Sequence, residues 1–455
     1  MAEALRVAII GAGPAGIYAA SILTQNDSDA TVDLYDRLPT PYGLIRYGVA
    51  PDHPRIRQII TALHQVLASD RIRFIGNVHV GNDLKIDELR DYYDAIMLAT
   101  GAEVDRDLGI PGEDLHRSYG AAAFVSFYNA HPDRPVKWDL SDARSVAVIG
   151  AGNVGLDTAR MLARSAAELR RTDVPEHVEK VWAKSAVTDV HLFARRGPAQ
   201  AKFTPVELRE LDQSPDVQVL VDPQGMEFDE QSERDLRDSR SLRMVVDVLS
   251  DWAVREPRPG PGRRVHLHFL QNPVEIHGSD GAVCGLRTER QELTGDGGVR
   301  GAGQMTDWSV QAVYRAVGYR SESIEDLPFD PMTFTLPNDG GRVLDLDGRP
   351  LAAIYTTGWV KRGPIGLIGH TKSDAAETVA KLLADACGLQ RAAHPTRSAV
   401  DGLLRAKGLA ITDFDGWNRL DAHERSLGSD AGRDRVKVAT RDQMTEIAAR
   451  PMDCG

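Results

Sequence analysis

The sequence predicts an α/β fold in which one strand–turn–helix unit is inserted into another, and three observations carry that prediction. The phrase VAIIGAGPAGIYAASI at residues 7 to 22 returns as VAVIGAGNVGLDTARM at residues 146 to 161, each an apolar run, a glycine turn and a stretch of helical apolar spacing. At 455 residues the chain exceeds one ordinary core, so two domains are expected. From residue 320 onward, LAAIYTTGWVKRGPIGLIGHTKSDAAETVAKLLADA supplies a strand, a glycine-containing loop and a helix that would complete the first unit. The expected domains are therefore residues 1–104 with 321–455, and residues 105–320.

LRVAII reads as a strand, GAGPAG as a tight turn and IYAASILTQ as a helix. ATVDLYDR is the next strand and finishes at Asp36. After the loop LPTPYGLIRYGVAPDHP, Ile56, Ile59, Ile60, Leu63 and Leu67 share one face of a predicted helix, and YDAIMLATGA is an apolar strand running into glycine. The pattern then restarts with SVAVIGAGNVGLDTARML, followed by strands in DVHLFARRG, VHLHFLQNPVEIHG and WSVQAVYRAVGYRS. REPRPGPGRRV reads as an exposed loop, and the last stretch mixes short apolar patches with charge and predicts no defined element.

Composition bounds the function. Hydrophobic residues make up 42% of the chain, as in globular proteins, yet no apolar run reaches the roughly 20 residues of a membrane-spanning helix. MAEALRVAII enters a strand-like run at once, leaving no room for a targeting peptide. Cys284, Cys387 and Cys454 are few and scattered, which fits a reducing compartment, the cytoplasm being the simplest, and offers no C-x-x-C pair for disulfide chemistry. A net charge of -12 argues against nucleic acid as the main partner.

In the first turn Gly11 permits the bend, Gly13 lets backbone N–H groups approach a pyrophosphate, and Gly16 lets helix and strand pack closely. Asp36, ending the next strand, stands where a carboxylate accepts hydrogen bonds from a ribose. The turn alone does not separate FAD from NAD. The second turn repeats the spacing with Gly150, Gly152 and Gly155, but its partner strand ends in Arg195 and Arg196. Two guanidinium groups at the ribose edge suit a 2′-phosphate that a carboxylate would repel, so this turn is expected to prefer NADPH to NADH. An inserted polar stretch, SAAELRRTDVPEHVEK, lengthens the usual spacing of about 20 residues from turn to ribose edge. A nicotinamide grip set into a flavin grip would hand hydride from one cofactor to the other across the two domains.

With these motifs placed, the sequence resembles the adrenodoxin reductase family of NADPH:ferredoxin reductases. GAGPAGIYAA, LYDRLPTPYGLIRYGVAPDHP, VIGAGNVGLDTARML, RRGPAQAKFTPVELRE and TTGWVKRGPIGLIG follow the family's motifs in order over most of the chain. The resemblance implies two nested dinucleotide-binding, Rossmann-like domains in a glutathione-reductase-like arrangement, with FAD, NADP(H) and a ferredoxin-type iron–sulfur acceptor. It implies FAD contacts at Gly11, Gly13, Pro14, Ala15, Asp36, Arg37, Leu44, Val80, Trp359, Gly366, Leu367 and Ile368. It implies NADP contacts at Gly152, Asn153, Val154, Gly155, Arg195, Arg196, Glu207 and Gly366. Gly358 is followed by Trp359, where many two-dinucleotide flavoenzymes carry aspartate, and the tryptophan fits the family; its plainer reading is a core aromatic.

By the same resemblance His53 would sit near the flavin with Glu210 beside it, orienting the nicotinamide or relaying a proton. The competing reading of DHP is a helix start, with proline at the first turn. Glu207 likewise closes TPVE, a capping-box spacing. Arg240, Arg243, Arg255, Arg258, Arg263 and Arg264 are candidates for steering an acidic ferredoxin, against the reading that they form an ordinary solvated surface. Two further functions stay open on the residues: an electron-input module like the small subunit of glutamate synthase, whose iron–sulfur cysteine clusters this chain lacks, and a nucleotide sensor without turnover.

Overall fold

The computed structural model describes residues 4–134, 137–258, 262–364 and 368–450. The chain divides into two compact units: one gathers Met1–Val104, Asn129–Asp133 and Tyr319–Gly455, the other Asp105–Tyr128 and Arg134–Gly318.

The first unit is built on a parallel sheet with strands in the order Pro350–Thr356, Ala95–Leu98, Arg6–Ile10, Thr31–Tyr35 and Ile72–Ile75, extended past Pro350–Thr356 by two short antiparallel strands. All five residues of Arg6–Ile10 are buried because side chains alternate between two covered faces. Val7 and Ile9 join a core with the helices Pro14–Asn26, Ile59–Leu67 and Phe414–Asp430, whereas Ala8 and Ile10 face Tyr35, Ile75 and Leu404.

The second unit has a six-stranded sheet, all parallel, in the order Ser118–Gly120, Ala312–Arg315, Ser145–Ile149, Asp189–Phe193, Arg263–His268 and Val217–Val221. A three-stranded antiparallel sheet, Gln271–Ser279, Ala282–Leu293 and Val299–Trp308, supplies Ile276, Val283 and Leu286 to a core shared with Ala147, Ile149 and Phe193.

Four details differ from the sequence expectation. VHLHFLQNPVEIHG is two strands, broken where Leu270 adopts φ 57° and the chain turns from the parallel to the antiparallel sheet. Ile56 belongs to a separate turn, Pro54–Arg57, and of the expected apolar face only Leu63 and Leu67 are fully buried. Asn129–Asp133 returns to the first unit, because Asn129 Oδ1 accepts from Arg57 Nη2 at 2.7 Å and Lys437 Nζ at 2.9 Å. The C-terminal stretch, for which no element was predicted, forms the helices Arg397–Ala406, Phe414–Asp430 and Arg441–Ala449, each capped by a side chain, from Thr396, Asp413 and Thr440.

Those last helices are tied to the first unit by a buried ion pair. Glu424, with no exposed surface, accepts both amino groups of Arg46 at 3.0 and 2.5 Å, Arg435 Nη1 at 2.8 Å and the Val438 N–H at 2.9 Å. Arg46 is itself buried, with its guanidinium 5.2 Å from the centre of the Trp417 ring. Removing one member of such a pair strands the other charge in a dry site. Glu424→Ala is expected to destabilise the protein by about 3–5 kcal/mol, measured as a fall in the urea midpoint with the folded circular dichroism spectrum retained.

Candidate functional site

The two glycine turns, read independently in each unit, have the same geometry. Gly11 sits at φ +113° and donates its N–H to Tyr35 O at 2.8 Å; Gly150 sits at φ +126° and donates to Phe193 O at 3.0 Å. A Cβ on Gly11 would lie 2.3 Å from Ala99 O, and a Cβ on Gly150 would lie 2.3 Å from Ala316 O, the carbonyl just past the next strand in each sheet. The third glycine packs against the first: a Cβ on Gly16 or Gly155 would meet the carbonyl of Gly11 or Gly150 at 1.9 and 2.0 Å. The middle glycines differ in kind. Around Gly13 and Gly152 nothing lies within 4 Å of a Cβ position, so the concavity at the start of each helix is open.

Each of those helices begins bare. Pro14–Asn26 and Asn153–Ala163 start after Gly13 and Gly152 with no side-chain cap and no acidic residue in the first turn. Elsewhere the chain caps its helices: Asp229, Ser239, Thr396, Asp413 and Thr440 each accept an N–H at a helix start. Uncapped N–H groups and the positive end of the helix dipole, together with room for a ligand, form an anion cradle. Both turns therefore fit a dinucleotide pyrophosphate.

Further glycines shape the first cradle. Gly43, at φ +48°, would carry a Cβ 3.1 Å from Gly13 Cα, and Tyr42 donates its N–H to Ala12 O at 2.8 Å, so the PYG segment lies down on the turn. Gly358, at φ +75°, would place a Cβ 2.7 Å from Ala15 Cβ. The Gly358 N–H and Lys361 Nζ both go to the buried Asp374, at 2.5 and 3.0 Å. Asp374 escaped the sequence reading, because a carboxylate sixteen residues after Gly358 on another helix carries no local signal.

The ribose-edge residues separate the two turns. Asp36 accepts from Ala12 N–H and Leu38 N–H, both at 2.8 Å, yet burial pushes its carboxyl up to about 6. Arg37 next to it pairs with Glu103. In the second unit Arg195 and Arg196 follow the Asp189–Phe193 strand, both exposed, and neither side chain has an ion-pair or hydrogen-bond partner among the described residues.

The remaining expected contacts fall as follows. Leu44 and Trp359 are half-buried and begin short helices, with Trp359 6.2 Å from the Tyr319 ring; Val80 is buried. Asn153 Oδ1 accepts the Thr204 N–H at 3.1 Å, and Val154 is half-buried in the same helix turn. Thr204 Oγ1 caps Glu207 N–H at 3.4 Å, but Thr204's own N–H goes to Asn153, the donor a capping-box glutamate would otherwise serve. His53 is buried just before the Pro54–Arg57 turn, and Glu210 is half-buried at the end of the Pro205–Glu210 helix. Gly366 and Leu367 lie outside the described residues, as does the side chain of Ile368.

The six arginines expected to steer an acidic partner are mostly committed within the protein. Arg255 and Arg258 pair with Asp212 at 2.6 and 3.2 Å, Arg264 with Asp189 at 2.7 Å, Arg243 with the Leu236 and Arg237 carbonyls at 2.5 and 2.6 Å, and Arg263 with backbone carbonyls including Ala163 O at 3.3 Å. Among these six, only the Arg240 side chain is without a partner among the described residues.

Comparison with known proteins follows the same lines. Residues 5–232 match the pyridine nucleotide-disulphide oxidoreductase family. The chain is 41% identical to the NADPH-ferredoxin reductase FprA of Mycobacterium tuberculosis, over 97% of this chain and 98% of that protein. It is 36% identical to the mitochondrial NADPH:adrenodoxin oxidoreductase of Arabidopsis thaliana, over 98% and 95% of the two chains. The solved structure of Mycobacterium tuberculosis FprA in complex with NADPH superposes with a TM-score of 0.91 at 38% identity, covering 98% of this chain and all of that one.

Because Gly11 and Gly150 lack room for a side chain while Gly13 and Gly152 do not, alanine should act oppositely at the two kinds of position. Gly11→Ala and Gly150→Ala are expected to lower the thermal midpoint of the ligand-free protein, each costing at least about 2 kcal/mol in strain and displaced backbone. Gly13→Ala and Gly152→Ala should stay within about 0.5 kcal/mol of the parent in the same calorimetric scan.

Proposed function

The chain belongs to the adrenodoxin reductase family of NADPH:ferredoxin reductases, and from that premise we propose that its first glycine turn holds FAD and its second holds NADPH. The protein is an NADPH:ferredoxin oxidoreductase whose acceptor is a ferredoxin-type iron–sulfur protein. When bound, FAD takes a hydride from NADPH and gives up electrons one at a time, the form in which an iron–sulfur centre accepts them. The observation that carries the assignment is the contrast at the ribose edge: two turns of one geometry, one ending in a half-buried carboxylate and the other in two unpaired guanidinium groups.

In the FAD unit, the bare start of the Pro14–Asn26 helix offers its N–H groups to the pyrophosphate, Asp36 accepts the adenosine ribose hydroxyls, and Leu44, Val80 and Trp359 supply apolar surface. In the NADPH unit, the Asn153–Ala163 helix start does the same for the second pyrophosphate, Arg195 and Arg196 pair with the 2′-phosphate, and Glu207 accepts from the nicotinamide end. His53 and Glu210 are the groups that hold or move a proton, through the imidazole nitrogens and the carboxylate oxygens respectively. Hydride donation itself needs no base, so these two residues orient and relay.

The family's name includes disulfide chemistry, but the sequence has no C-x-x-C pair, and among the described residues Cys284 and Cys387 are free and exposed, which supports an external electron acceptor. Free surface thiols are compatible with a reducing compartment, and this supports the reading of a cytoplasmic enzyme. No helix among the described residues is long and apolar enough to cross a membrane. The function is tested by following NADPH oxidation with purified ferredoxins of the same organism; sustained turnover that requires a ferredoxin supports it, and oxidation that no iron–sulfur protein accelerates would remove it.

Two predictions follow from the ribose edges. Each charge-assisted contact to a phosphate is worth about 1.5–3 kcal/mol, so the double variant Arg195→Ala, Arg196→Ala should raise the NADPH KM roughly 100-fold while the NADH KM stays within about twofold. For Asp36, the folded value lies above the ordinary carboxylate value, so the FAD-free protein takes up a proton as pH falls through about 6. Ribose hydroxyls donate to the ionised form and hold it to lower pH. FAD binding therefore releases a proton in that window, and affinity should fall about tenfold per pH unit below 6. Asp36→Asn should bind FAD more weakly at pH 8 and lose that dependence, as read by fluorescence of released flavin across a pH series.

A further inference from the structure

Three histidines meet on one face of the second unit's parallel sheet. Strands Asp189–Phe193 and Arg263–His268 are neighbours, with Arg264 opposite Asp189, His266 opposite His191 and His268 opposite Phe193. The period of two puts all six on the same face, the one covered by the antiparallel sheet. They form a graded ladder. At the outer end the half-exposed Arg264 pairs with Asp189; at the inner end Phe193 has no exposed surface, and the Trp308 ring closes against His268 at 4.6 Å.

Between those ends the imidazoles stack, His191 on His266 at 4.4 Å and 11°, and His191 on His268 at 5.3 Å and 16°. One ring nitrogen from each lies within 4.8 Å of the other two. Zinc bound tetrahedrally at about 2.0–2.1 Å sets its nitrogen ligands about 3.3 Å apart, a contraction that rotation about the side-chain bonds supplies.

Packing alone does not account for two features. His266 Nε2 is 2.9 Å from Asp189 Oδ1, and Asp189 is itself held by Arg264 and by Thr188 Oγ1 at 2.9 Å. This is the carboxylate–histidine arrangement that fixes a ligand's tautomer and leaves the other ring nitrogen as a donor. His268 is 8% exposed and its Nδ1 has no partner, while its Nε2 faces His191 Nδ1 at 3.0 Å. A buried nitrogen without a partner costs about 1–3 kcal/mol.

We propose that His191, His266 and His268 form a binding site for a divalent transition metal of the zinc class, three imidazole donors with a fourth position for water. Three nitrogen donors and no oxygen ligand select zinc, copper or nickel over magnesium and calcium. The ion would clamp two neighbouring strands, four residues ahead of Arg195. The site draws on neither dinucleotide, and nothing in the electron-transfer reading requires it.

The test is calorimetric titration of tag-free, chelator-stripped holoenzyme with zinc chloride, alongside His191→Gln, His266→Gln and Asp189→Asn, with flavin content as the folding control. The expected result is one zinc per chain for the parent, affinity at least tenfold weaker in each histidine variant, and about tenfold weaker in Asp189→Asn, whose carboxylate only positions His266. Absence of saturable binding to the parent overturns the proposal, and so does equal binding by parent and histidine variants. Because the parent is read directly, a variant that failed to fold would not shield the idea.

Discussion

The constraint on which the rest depends is the lack of room at Gly11 and Gly150. In each unit a backbone carbonyl, from Ala99 or Ala316, occupies the place a side chain would take, and the glycine holds a positive φ that other residues avoid. That close approach bends the chain sharply enough for a helix to start at the carboxyl edge of the sheet, with its first N–H groups facing outward. Protein groups leave those N–H groups alone: neither helix has a side-chain cap or an early acid, although the chain caps many others. An unmet set of donors at a dipole's positive end is stable in water and ready for phosphate.

Given two equal cradles, discrimination falls to the residue after the adjoining strand. Asp36 is tuned by burial, held by two N–H groups and receptive to hydroxyl donors. The Arg195 and Arg196 side chains stand exposed and uncommitted, whereas Arg255, Arg258 and Arg264 are paired. One fold thus offers two cradles with opposite charges at the end of the strand beside each, and the proposed assignment of FAD and NADPH rests on that difference.

Much of this was legible in the residues, because it is local. Apolar runs ending in G-x-G-x-x-G specify strand, turn and helix within twenty residues, and the charge at the end of the following strand can be read directly. What resisted reading is set by partners far away in sequence. Asn129 joins the first unit through Arg57 and Lys437, and the C-terminal helices are fixed by Glu424 meeting Arg46, pairs that no periodicity announces. In the arginine-rich segment the sequence shows the charges and hides Asp212 and Asp189, which pair with Arg255, Arg258 and Arg264. The histidine ladder was invisible for a related reason: DVHLF and RRVHLH each alternate unremarkably, and only the register between two non-consecutive strands brings the rings together.

The central claim is that each glycine turn holds its own dinucleotide, FAD in the first and NADPH in the second. The most direct measurement closes the open position of one turn at a time, with Gly13→Val and Gly152→Val, and determines both flavin content and NADP+ affinity by equilibrium dialysis. The account predicts a clean exchange of defects: the first variant loses flavin and keeps NADP+ binding, and the second keeps flavin and loses NADP+ binding. Loss of the same ligand in both variants, or retention of flavin when the first turn is closed, would contradict it.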